Sequence, residues 1–189
     1  MIILGLSVLG FNTSASFVVD GIPVAAIEEE RLNRQKRTRD FPDKGIAYGL
    51  EYLGKGIKDV DAIAVSWNPG VNLESFARGL SDKNRFIPEI LYSVANHLIV
   101  KQGTGVRSVE QEIEFMDGAK LPIFFVNHHL CHASSFYFSP FSDASILTVD
   151  AFGEKQTATL SAGIDTEIEL LDEVLFPHSL GAFYTTFTQ

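Results

Sequence analysis

The sequence predicts an α/β fold, and three observations point to it. Short apolar runs of strand length alternate with helical stripes in the order βββαβαβα, and a second βββ follows. The opening plan of strand, loop, strand, turn and strand (LGLSVLGFNTSASFVVDGIPVAAIEEE) returns about 140 residues later as ILTVDAFGEKQTATLSAGIDTEIELLDEV. The composition is globular, with 46% hydrophobic and 21% charged residues in 189, and no low-complexity tract or long charge block argues for disorder. Such a repeat predicts a duplicated fold, with a first copy over residues 1–142 and the opening strands of a truncated second over 143–189.

Each element has a local reason. Ile2–Val8 is a buried apolar run. Ser14–Val19 and Ile22–Glu28 flank Asp20-Gly21, a two-residue type I′ hairpin signal. Five basic residues follow between Arg31 and Arg39. At Phe41-Pro42-Asp43 the residue before Pro is pushed out of the α region, and Asp43 can cap a helix. Ile46, Leu50 and Leu53 then make a helical stripe that Gly54 and Gly56 end. Asp61–Trp67 is a short strand closing at Asn68-Pro69-Gly70. Ile87, Leu91, Val94 and Leu98 predict a second helix, broken by Gly103 and Gly105. Pro122–Val126 is a strand, His128–Phe138 a short helix stopped by Ser139-Pro140, and Ala144–Val149, Thr157–Ala162 and Glu167–Val174 three more strands. A helix start follows Phe176-Pro177-His178-Ser179-Leu180-Gly181.

Several function classes drop out early. The net charge is -9, so phosphate attraction over the whole surface is excluded and no nucleic-acid partner is expected. One cysteine, Cys131, rules out an intrachain disulfide framework and fits a reducing, cytoplasmic setting. The opening residues lack a basic n-region and a long apolar run, so they do not read as a signal peptide, and no stretch approaches a membrane span.

The strongest chemical signal is Asn127-His128-His129-Leu130-Cys131-His132, which holds three of the five histidines directly after a strand. On a helix His128 and His132 share a face at i, i+4, close enough to share a metal, while His129 points about 100° away. Asp150, at the end of the next strand, can supply an oxygen ligand; Fe(II), Zn and Mn all suit such a set. A histidine pair that merely caps a helix is the bland alternative. Cys131 fits better as a small packed side chain than as a ligand. Asp150 with Gly153 three residues on stands where open α/β sheets place metal or phosphate chemistry, so Gly153 is a candidate cofactor contact. Asn12-Thr13-Ser14 occupies the matching loop of the first repeat and can offer polar groups to phosphate. The Arg31–Arg39 segment is either a solvated loop or an anion site. His178 is a candidate acid/base group. Of the 15 Phe, many fall between Phe115 and Phe152, which predicts aromatic packing around the strand ends that hold His128, His132 and Asp150.

Four stretches taken together resemble the N-terminal part of the carbamoyltransferase family that modifies nodulation factors and antibiotics. They are ILGLS with SASFVVDGIPVAAIEEERLNRQKR, the following FP, VNHHLCHASSFYFSPFSDASILTVDAFGE, and LFPHSLGAFYTTFT. Their order and spacing are more specific than any one motif, and they span most of residues 2–55 and 123–188.

The resemblance implies a two-lobed ATPase-like fold of the actin and sugar-kinase (ribonuclease H-like) type, with the first lobe complete and the second truncated. It implies an ATP-dependent O-carbamoyltransferase that forms carbamoyl-adenylate from carbamoyl phosphate and ATP (with Mg) and passes the carbamoyl group to a small hydroxyl-bearing acceptor. The family's metal site maps onto His128, His132 and Asp150, with iron the expected metal, although Mn or Zn suits the same donors. Its EEER-x-x-R-x-K pattern makes Lys36 and Arg34 the candidate contacts to carbamoyl phosphate, and His178 lies in the FPHSLG motif. Where relatives often carry His-Asp in the first loop, this chain has Phe11-Asn12, and Asn12 can hydrogen-bond there but cannot transfer a proton.

Two other functions stay open: an enzyme of the tRNA threonylcarbamoylation type, which the acidic balance and EEER weigh against, and a non-enzymatic metal-binding module of the same fold. The 189 residues alone are expected to be inactive, with the C-terminal portion of the same enzyme a required partner. Acceptor, metal identity and a homodimeric state stay open.

Overall fold

Asp20 and Gly21 have φ of 49° and 83°, the left-handed pair that a type I′ turn requires. They sit in a computed structural model that describes residues 1–8, 12–67, 108–114 and 120–188. The turn joins β2 (Ser14–Val19) to β3 (Ile22–Glu28), and β2 runs antiparallel to β1 (Ile2–Ser7), with Ile2 opposite Val19 and Ser7 opposite Ser14. The chain forms two compact units, Met1–Val126 and Asn127–Gln189.

In the first unit β4 (Ala62–Val65) lies parallel to β1, and β6 (Lys120–Val126) parallel to β4. β5 (Ser108–Glu114) adds an antiparallel edge, completing a six-stranded mixed sheet in the order β3-β2-β1-β4-β6-β5. The alternation in β1, β4 and β6 puts Leu4, Leu6, Ile63, Val65, Ile123 and Phe125 into one core. Two helices follow β3: the single turn and a half of α1 (Glu29–Asn33), and α2 (Asp43–Leu53). The Ile46, Leu50 and Leu53 stripe packs against the core as its spacing predicts. The closest approach is made instead by Gly49, where a Cβ would overlap the ring of fully buried Phe17.

The second unit is built on a second antiparallel meander, β7 (Asp143–Gly153), β8 (Gln156–Ile164) and β9 (Glu167–Leu175), in that sheet order. Ahead of it comes α3 (His128–Ala133), continued by a 3-10 turn over Ser134–Phe138, and after it α4 (Leu180–Thr188). Its small core joins Ala133, Phe136 and Ile168.

Three differences from expectation have physical reasons. The helix expected over 128–138 tightens to 3-10 at Ser134, whose hydroxyl donates to the Cys131 carbonyl at 2.7 Å and competes with the helical ladder. β5 was not expected, because SVEQEIE carries a Glu at every second position; Glu110 and Glu112 are exposed on what is an edge strand, where charge discourages further pairing. Phe136 is buried, but Phe138 and Phe141 are 56% and 63% exposed on either side of Ser139-Pro140, so the Phe concentration does not form one packed shell. The helix expected at 87–98 lies outside the described residues, as does Phe11. Among the described residues no helix is long and apolar enough to cross a membrane.

Candidate metal centre and basic loop

α3 starts at Asn127, which caps it: Asn127 Oδ1 accepts from Leu130 N at 3.0 Å. The same amide's Nδ2 donates to Glu154 Oε2 at 2.5 Å and to Gln156 Oε1 at 2.9 Å, fastening the helix start to the β7–β8 turn.

One helical turn brings His132 above His128, ring centroids 4.5 Å apart, with 3.0 Å between the two Nε2 atoms. Asp150 Oδ2 lies 2.9 Å from His128 Nε2 and 3.4 Å from His132 Nε2. Three donor atoms therefore converge, all within 4.8 Å of one another. A metal held at about 2.1 Å by each ligand sets donor separations of roughly 3.0 Å in octahedral and 3.4 Å in tetrahedral geometry, so these residues fit such an ion. His128 and Asp150 are partly shielded and His132 is half exposed, which leaves one side of the cluster open to water or substrate. Burial pushes the Asp150 carboxyl up. The His128 hydrogen bond, the Ala151 amide and the nearby histidines outweigh that and hold it below its ordinary value.

His129 points elsewhere, as its position on the helix predicts. It is 1% exposed, with Nε2 at 3.1 Å from the Gln156 carbonyl and Nδ1 at 2.7 Å from Thr148 Oγ1. A carbonyl only accepts, so Nε2 carries the proton and Nδ1 takes the Thr148 hydroxyl proton. Thr148 oxygen in turn accepts from Thr159 at 2.6 Å. Burial pushes the His129 imidazole below its ordinary value, against the pull of the Gln156 carbonyl, so the ring is kept neutral. Half-buried Cys131 is pushed up to about 12 by burial, consistent with a packed thiol.

The strand that carries Asp150 is held from two sides. Gly153 is buried against the histidines, and a Cβ there would overlap the His128 ring. Ser179 caps α4 by accepting from Ala182 N at 3.0 Å, and its hydroxyl reaches the carbonyls of Ala151 at 2.6 Å and Asp150 at 3.2 Å. A Cβ on Gly181 would strike the Asp150 carbonyl. Within the HSLG stretch, then, Ser179 and Gly181 are the residues that touch the Asp150 backbone. The His178 side chain is exposed and is not one of the converging donors. Sequence reasoning missed Asn127, Ser179 and Gly181; only the Ser before a helix start was a usable signal.

In the first unit Lys36 Nζ donates to Glu30 Oε1 at 3.0 Å, and Arg34 is an exposed residue at the left-handed C-cap of α1, φ 63°. Asn12 N donates to the Thr38 carbonyl at 3.0 Å, which joins the first loop to the basic loop. Asn12 itself has φ of 62°, a conformation Asn tolerates better than most side chains, so its identity also has a backbone reason.

Residues 2–189 match the family model described as Carbamoyltransferase N-terminus. An uncharacterized protein of Synechocystis sp. is 36% identical over 98% of this chain and 31% of its own length. Nodulation protein NolNO of Sinorhizobium fredii is 32% identical over 90% of this chain and 24% of its own. An uncharacterized protein of Methanocaldococcus jannaschii is 22% identical over 95% and 28%. The chain thus spans less than a third of the length of these relatives.

Proposed function

Since this chain belongs to the carbamoyltransferase family, matching its N-terminal part, we propose that it serves an ATP-dependent O-carbamoyltransferase that makes carbamoyl-adenylate from carbamoyl phosphate and ATP. Forming the adenylate consumes one water and releases phosphate and pyrophosphate. The carbamoyl carbon then bonds to an acceptor hydroxyl oxygen, which gives up its proton, as the bond to the phosphate oxygen of AMP breaks and AMP leaves. The observation that carries this reading is the convergence of His128, His132 and Asp150 in a chain of this family.

Those three residues would hold a divalent ion, Fe(II) by preference, which when bound supplies positive charge against the anionic substrates and the charge developing on the transferred group. Lys36 and Arg34 bind the phosphate of carbamoyl phosphate, and Asn12 hydrogen-bonds to substrate without moving a proton. ATP would bind as its Mg complex, with the β7 segment around Gly153 as its candidate contact, and His178 exchanges a proton with the acceptor. The fold proposed is the actin and sugar-kinase type. Its support is the order β3-β2-β1-β4-β6 with β1, β4 and β6 parallel and β2 reversed, followed by a second meander. The first lobe would cover 1–142 and the start of the second 143–189, a division by repeat rather than by packing. The enzyme would work in the cytoplasm, with the acceptor chosen by other parts of the full-length protein.

The full-length protein, metal-replete, is to be supplied with ATP and carbamoyl phosphate. Carbamoyl-adenylate is the expected product, and its absence favours a non-enzymatic module. Metal content is expected to fall in His128→Ala and His132→Ala; unchanged content in both removes the ligand assignment. Residues 1–189 alone are expected to be inactive, and robust turnover by them overturns the two-lobe reading.

A further inference from the structure

We infer that Glu30 is the positioning residue for Lys36, a device that presents one ammonium to the substrate anion; this rests on the carbamoyl phosphate reading above and deepens it. The Glu30 side chain is only 7% exposed, while that of Lys36 is 81% exposed. A buried carboxylate therefore reaches out to a lysine that solvent almost surrounds. Glu30 Oε1 accepts from Lys36 Nζ at 3.0 Å and lies 3.9 Å from Arg31 Nε, while Oε2 accepts from Arg37 N at 2.9 Å. The Glu30 main-chain carbonyl accepts from Arg34 N at 3.1 Å. One residue thus grips the loop at Arg34, Lys36 and Arg37.

The loop needs such a grip. Arg34 and Arg37 have φ of 63° and 56°, a left-handed backbone that side chains avoid unless neighbouring structure enforces it. A free lysine spreads its charge over many rotamers, and fixing it in advance removes that cost from binding. An ammonium has three donors; the bond to Glu30 uses one and leaves two for phosphate oxygens. Residues 31–39 hold five basic side chains and no acidic one, so the segment carries an excess of cations even with Glu30 at Lys36 and Glu28 Oε2 at 3.4 Å from Arg31 Nε. The Arg37 amide first, and then Lys36, hold the Glu30 carboxyl below its usual value, so the latch stays charged.

Glutamine is the informative replacement. Both partners of the carboxylate are donors, and an amide offers one acceptor oxygen and one NH₂, so Glu30→Gln keeps Arg37 or Lys36 but not both. The full-length enzyme, with carbamoyl phosphate as the varied substrate, is compared with Glu30→Gln, Lys36→Met and the double variant. Glu30→Gln is expected to raise KM for carbamoyl phosphate about tenfold with kcat nearly unchanged, the mark of lost uniform binding. Lys36→Met is expected to raise it at least as much, and Glu30→Gln is expected to add nothing in the Lys36→Met background. A structural role alone would instead weaken both backgrounds alike, since it would not depend on the Lys36 ammonium. Where Glu30→Gln does not fold, Glu30→Asp, which keeps two acceptors on a shorter stem, carries the same comparison. Unchanged KM in Glu30→Gln beside a raised KM in Lys36→Met overturns the positioning role, as do additive effects. Unchanged KM in Lys36→Met, or no carbamoyl phosphate-dependent turnover in the parent enzyme, overturns the underlying site assignment and the inference with it.

Discussion

Thr148 donates its hydroxyl to Nδ1 of His129 at 2.7 Å, in a site where both are buried. The bond ties β7 to α3 from inside, beside the metal-binding pair: the His129 ring centroid lies 5.7 Å from that of His128 and 6.2 Å from that of His132. Thr148→Val keeps the shape and leaves Nδ1 and the Thr159 hydroxyl without their partner. A loss of about 1–3 kcal/mol in unfolding free energy is expected from an unsatisfied buried acceptor. Denaturant titration checks it, and a variant as stable as the parent would remove the argument for this chain of hydrogen bonds.

Gly153→Ala is expected to act on the metal centre directly. The added Cβ meets the His128 ring, so the ring or the strand must move. Overpacking of this kind costs about 1–3 kcal/mol, and the donor atoms lose their spacing. Reduced metal content in a folded Gly153→Ala protein is the outcome to look for; parent-like content would show that the ring adapts.

Gly49 makes a test of helix packing against helix propensity. Alanine is better than glycine in a helix interior by about 1 kcal/mol. Here the Cβ overlaps Phe17, so Gly49→Ala is expected to destabilise despite that gain. Phe17→Leu in the same chain should recover part of the loss, which a double-mutant cycle measures.

Acid stability should carry the signature of Glu30. Its carboxyl lies below the ordinary value in the folded protein, with the Arg37 amide the first cause. The stabilisation it gives is therefore full above the ordinary carboxylate range and disappears as pH falls through the lower folded value. Unfolding midpoints between pH 7 and pH 3 should drop less steeply for Glu30→Gln than for the parent. Parallel curves would count against it.

Much of the fold could be read from the chain because its signals are local. Asp20-Gly21 specifies its turn, the strand alternation specifies the core face, and the i, i+4 spacing of His128 and His132 specifies their shared side. Asp150 was legible as the carboxylate that follows the ILTV run, although β7 does not end there: it continues to Gly153, with its pairing irregular between Val149 and Gly153. What escaped notice is long-range. Asn127 meets Glu154 and Gln156, Ser179 meets Asp150 and Ala151, and no periodicity in the sequence encodes such pairs. The Lys36 latch spans only six residues, yet it depends on the burial of Glu30, which composition does not reveal. β5 was hidden by its own glutamates, a surface feature of an edge strand that reads as loop.

The Asn127 side chain couples the start of α3 to the β7–β8 turn. Its oxygen sets where α3 begins, and its nitrogen is fixed to the Glu154 and Gln156 side chains at the β7–β8 turn. That turn therefore acts as a length gauge for the site. One residue inserted beside Lys155 would offset Glu154 from Gln156, release the helix start and put the two histidines out of step with Asp150, with none of the three altered.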